Sequence, residues 1–93
     1  MGLFTVRVEL HGAGAADYTL LHEKMRAMGF TDIVANSEGV RYKMSPGEYN
    51  FEGAATIEQV GIAAKTAAIQ TNKKWAIFIS EAVKRSWEGL QTV

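Results

Sequence analysis

GFTDIVANSEGVRYKMSPGEYN, residues 29–50, decides the fold. It opens on a glycine suited to ending a helix, then gives a short β-prone run, Ile33-Val34-Ala35. Asn36-Ser37-Glu38-Gly39 is a turn cluster, and Val40 to Met44 alternates strictly. Two short strands joined by a polar loop with glycine in its last position make a β-hairpin. Ser45-Pro46-Gly47 forces a turn or bulge, after which Tyr49 and Phe51 alternate with polar neighbours. That run reads as a ragged continuation of the third strand.

On the N-terminal side, Phe4, Val6, Val8 and Leu10 alternate with Thr5, Arg7, Glu9 and His11, which predicts a strand with one buried and one polar face. The small-residue loop Gly12 to Ala16 follows; it lacks the second half of a dinucleotide fingerprint and any Walker lysine, and reads as a connector. Asp17 is a candidate helix cap, with Tyr18, Leu21, Met25 and Met28 on one stripe and Gly29 at the helix end. On the C-terminal side, Thr56 and Gln59 have capping-box spacing before a helix that buries Ile57, Val60, Ala64 and Ala68. Its small residues, Gly61 included, predict close approach to a sheet, and Asn72-Lys73-Lys74 should end it. Trp75 to Ser80 (WAIFIS) is apolar on both faces, so both are expected to be covered. The segment Glu81 to Val93 leaves room for an extra strand or flap.

Strand, helix, strand, strand, helix, strand is the order of the ferredoxin-like split βαβ. The expected architecture is one α+β domain over residues 1–93, a four-stranded antiparallel sheet with two helices on one face. The first and third strands would then be neighbours. Arg7, Arg41 and Lys43 would share the uncovered face with Glu9, a local cationic patch for backbone phosphates. Sheets that bind RNA in this way stack bases on aromatics, and only Phe78 could supply one here. A solvated cross-strand charge pair is the competing explanation.

Composition narrows the chemistry. Ten basic side chains balance ten acidic ones, so a global drive toward nucleic acid or anionic membrane is absent and any polyanion site is local. With no cysteine, disulfides, thiolate nucleophiles and cysteine-ligated metals are excluded. The opening MGLFTVRV enters a strand at once, and no apolar run approaches the roughly 18 residues of a spanning helix, so a cytoplasmic protein away from membranes is expected. His11 and His22 are the only histidines and have no ligand spacing between them; no metal or cofactor is expected. His11, where the chain leaves the first strand, is the best single candidate for a general base.

The run from Met25 through Tyr49, with its helix end MGF, then TDIVANSEGV and a strand ending before SPGEYNF, resembles the GhoS-type small antitoxin proteins. These are ferredoxin-like domains related in fold to small CRISPR-associated nucleases. The resemblance implies a cytoplasmic endoribonuclease that cleaves the messenger of a partner toxin, with single-stranded RNA rather than DNA as substrate. That nuclease group commonly has an aspartate ending the first strand, where this chain has His11. The departure points to a metal-independent route, with His11 deprotonating a ribose 2′-hydroxyl and Arg7, Arg41 and Lys43 holding the phosphate. Two other classes compete. One is a non-enzymatic homodimeric interaction domain anchored by Trp75, Phe78 and Trp87. The other is a small-ligand sensor built on the Gly12–Ala16 loop.

Overall fold

The computed structural model describes residues 2–93. Their elements are β1 (Gly2–His11), α1 (Ala15–Ala27), β2 (Ile33–Ala35), β3 (Arg41–Lys43), β4 (Glu48–Gly53), α2 (Ile57–Ile69) and β5 (Lys74–Glu81). The central layer is a three-stranded antiparallel sheet in the order β4-β1-β5. Phe4, Val6, Val8 and Leu10 point from β1 to the helix side and are buried with Leu21 and Met25 of α1 and with Val60, Ala64, Ala67 and Ala68 of α2. The polar alternates Arg7, Glu9 and His11 stay exposed on the other face. One strand with period two therefore separates the core from an exposed polar face.

The hairpin forms as its residues dictate. Asn36 Oδ1 accepts from the amides of Glu38 and Val40, and Gly39 takes φ +81° to close the turn. The expected four-stranded sheet does not form. β2 and β3 pair with each other as a separate two-stranded sheet, apart from β4-β1-β5. A single bridge, Thr31 with Asn50, ties the start of this arm to β4. The break lies at Ser45 to Gly47, which does not continue the third strand but turns the chain so that β4 is a new strand beside β1. Gly47 makes that turn fit. At φ +82° its carbonyl accepts from Val8 N at 2.8 Å, and a Cβ at this position would lie 2.8 Å from the Val8 carbonyl oxygen.

Other local expectations hold or shift by about a helical turn. Asp17 lies in the first turn of α1, where its carboxylate accepts from Gly14 N at 2.9 Å, instead of preceding the helix. Thr56 and Gln59 form the reciprocal capping box at the start of α2. That helix ends at Ile69, short of the Asn72–Lys74 run; Asn72 turns the chain at φ 59° and Lys74 already belongs to β5. Gly61 faces Ile79 closely enough that a Cβ would sit 3.1 Å from its Cδ1, so α2 does lie tight on the sheet. No helix among the described residues is long and apolar enough to cross a membrane.

Candidate nucleic-acid interface

The face of the β4-β1-β5 sheet opposite the helices has two unlike halves. Over β4, the segment after β5 returns across the sheet. Ala82 N donates to the Leu3 carbonyl, and Arg85 then reaches down to the sheet. Its Nη1 donates to Thr5 Oγ1 at 3.0 Å and to the Phe4 carbonyl at 3.3 Å, and Nη2 donates to Asn50 Oδ1 at 2.8 Å. Asn50 Nδ2 in turn donates to Glu52. Burial pulls the Arg85 guanidinium below its ordinary pKa and the nearby Glu52 carboxylate opposes this; Arg85 Nε has no partner among the described residues. Trp87 then meets Tyr42 edge-on with ring centroids 5.8 Å apart, and Thr92 bridges Tyr42, so the tail is the third member of the hairpin arm.

The half over β1 and β5 is bare. Arg7 lies opposite Phe78 in the β1–β5 register, Glu9 opposite Ala76 and His11 opposite Lys74. Phe78 is 66% exposed although its strand is apolar on both faces, so one side of β5 is uncovered, contrary to expectation. A hollow of about 510 Å³ runs along Arg7, Glu9, Ala76 and Phe78 to Tyr18 and Pro46 at the rim. His11 Nε2 stands 3.6 Å from Glu9 Oε1, both side chains well exposed.

Only part of the expected constellation meets here. Arg7 and His11 share this face, but Arg41 and Lys43 are on β3, in the other sheet, because the third strand does not neighbour β1. Lys74, which the sequence reading assigned to a helix end, takes the place beside His11. The three aromatic anchors also separate. Trp75 lies opposite Leu10 and packs on the core, Trp87 contacts the hairpin, and only Phe78 stands free.

A second group of titratable residues was not anticipated. Lys43, Asp32 and His22 open onto a cleft of about 450 Å³ between α1, the hairpin and the start of β4. Arg26 Nη2 donates to His22 Nε2 at 2.9 Å, Asp32 Oδ2 is 3.9 Å from the same nitrogen, and the His22 ring stacks on Tyr49 at 6.0 Å. Burial, then the charge of Asp32 and finally Tyr18, push the Tyr49 phenol up to about 12. The four-residue spacing of His22 and Arg26 on one helix was the available signal; their meeting with Asp32 and Tyr49 depends on long-range packing. Among the described residues no group of three or more His, Asp or Glu side chains is placed to hold a metal ion.

No family model matches the chain, and no curated protein matches it in sequence.

Proposed function

We propose that the protein binds single-stranded RNA on the bare β1–β5 half of its sheet. The observation that carries this reading is Phe78, 66% exposed and directly across from Arg7. A flat aromatic beside a guanidinium gives one base a stacking surface and its phosphate a charge partner, which is how sequence-tolerant single-strand binders work. Lys74 extends the cationic end of the same face, with His11 directly across from it. The element order, the β4-β1-β5 arrangement and the Thr31–Asn50 bridge support reading the fold as a ferredoxin-like sandwich whose second edge has peeled away as a hairpin. The GhoS-type resemblance adds cleavage to binding: a cytoplasmic antitoxin endoribonuclease acting on a toxin messenger. In that reading His11 takes the proton of the 2′-hydroxyl, the 2′-oxygen bonds to the adjacent phosphorus as its bond to the 5′-oxygen breaks, and the departing 5′-oxygen takes a proton from water, leaving a 2′,3′-cyclic phosphate. Arg7 with Lys74 steadies the phosphate, while Arg41 and Lys43 contact more distant nucleotides.

Fluorescence anisotropy with a labelled ribo-oligonucleotide tests binding. Phe78→Ala and Arg7→Ala should each weaken it about tenfold, since one stacked base contributes about 1–3 kcal/mol. Unchanged affinity in both variants refutes the face. Incubation of the same oligonucleotide in chelator, wild type against His11→Ala, tests cleavage separately; equal cleavage by the two refutes the role of His11.

A further inference from the structure

Backbone hydrogen bonding leaves one long edge open. Ala82 N donates to the Leu3 carbonyl, which makes Leu3–Ala82 a hydrogen-bonded pair of the β1–β5 ladder. Alternation then makes Thr5–Ser80, Arg7–Phe78 and Glu9–Ala76 bonded pairs as well. The other side of β1 agrees: Val8 N donates away from β5 to Gly47, and Leu10 N donates to the Tyr18 hydroxyl. It follows that Trp75, Ile77, Ile79 and Glu81 turn their N–H and C=O groups outward, away from β1. Among the described residues these groups have no strand partner, because β5 ends the sheet order β4-β1-β5.

Edge strands of this length are normally blunted by a lysine, a proline or a bulge near their middle. β5 is an eight-residue strand with charge only at its ends, Lys74 and Glu81, and Ala76-Ile77-Phe78-Ile79 between them. We infer that this edge pairs with the β5 edge of a second copy, antiparallel, about a two-fold axis at Phe78. In that register Ile77 bonds Ile79 of the second copy and Trp75 bonds Glu81, so every outward residue of β5 finds a partner. Phe78 faces its own copy, Ala76 faces Ser80, Lys74 faces Ala82, and no two like charges oppose each other. A shift of the axis by one residue, to Ile77, leaves Glu81 to bond Lys73, outside the strand. The same axis sets α2 antiparallel to its copy. On the helical wheel Glu58 and Lys65 lie on the outer side of Gly61, the residue that touches Ile79, so opposite charges approach each other across the axis.

An unrelated peptide would satisfy the backbone groups but has no reason to match this self-complementary pattern. The pairing would join two three-stranded sheets into one six-stranded layer and set the two Phe78 rings side by side on its bare face. It stands whether or not that face binds RNA.

The chain has no cysteine, so an introduced one can bond only to its copy. In a non-hydrogen-bonded antiparallel pair the Cα atoms are about 4.5 Å apart, within disulfide reach. Under mild oxidation Phe78→Cys should form a covalent dimer. Ala76→Cys should not, because residue 76 and its copy lie about 13 Å apart along the strand at roughly 3.3 Å per residue. The double variant Ala76→Cys with Ser80→Cys, which leaves Phe78 in place, should cross-link again, and circular dichroism confirms that each variant is folded. Wild-type chain that sediments as a monomer at all concentrations overturns the inference. So does equal cross-linking of Phe78→Cys and Ala76→Cys. RNA affinity is measured separately on wild type, so loss of the dimer and loss of RNA binding are distinguishable.

Discussion

Tyr49 shows how a single residue links sequence, packing and pH. It stacks on His22 and is 3% exposed; that burial, then the charge of Asp32 and finally Tyr18, raise its phenol from the usual 10 to about 12. A group whose folded pKa is raised gives stability that is fully present below the unfolded value and is lost as pH climbs through the folded one. The contribution of Tyr49, read as the difference between wild-type and Tyr49→Phe denaturant melts, should be constant below pH 10 and fall by about 2 kcal/mol between pH 10 and 12. The position was legible as an inward residue from its alternation with Asn50, but its partners were not, because His22 and Asp32 lie far from it in the chain. Arg85 was missed for a related reason. Nothing in the segment after Glu81 shows that its one arginine will dock, half-buried, on Thr5 and Asn50.

At the scale of elements, helices and turns were the most legible parts. The capping box at Thr56 and Gln59, the hairpin turn at Asn36–Gly39 and the alternation of β1 are all local patterns, and all three form. Strand partnership is a long-range property, and there the reading of Val40–Phe51 as one broken strand gave way to two strands in different sheets. The positive-φ Gly47, seated under the Val8 carbonyl, is the physical cause, since the chain must turn there to reach β1. The detached hairpin is held mainly by the tail: Lys43 N donates to Gln91 O, Val93 N donates to Arg41 O, and Trp87 rests on Tyr42. Trp87→Ala removes an aromatic contact of about 1 kcal/mol together with its buried area. Hydrogen exchange at the Lys43 amide should then speed up by about fivefold or more while the amides of β1 are unaffected. Equal acceleration in both places would show that the arm and the sheet open as one unit.

For the whole molecule the governing fact is balance. Ten positive and ten negative side chains leave no net field, so the proposed RNA contact depends on a few cations at one end of one face. If Arg7 and Lys74 are the phosphate partners, about two counterions are released, and the slope of log affinity against log salt should be about −1.4. A slope several times steeper would mean that Arg41, Lys43 and other cations also take part, and that the strand runs over both sheets. The sequence signalled the face itself through the period of β1, and with it Arg7 and His11 as outward candidates; Phe78 was legible as a stacking candidate, but on a strand expected to be covered on both faces. It could not signal that Lys74 replaces Arg41 and Lys43 beside them, because that follows from which strand becomes the neighbour of β1.

The chain has two indole rings, and its architecture gives each a different post. Trp75 beds against the hydrophobic interior, while Trp87 sits where the returning tail clasps the hairpin. Their emission is therefore a ready-made pair of optical gauges, one for melting of the body and one for release of the clasp, and single-tryptophan versions would let the two events be timed apart.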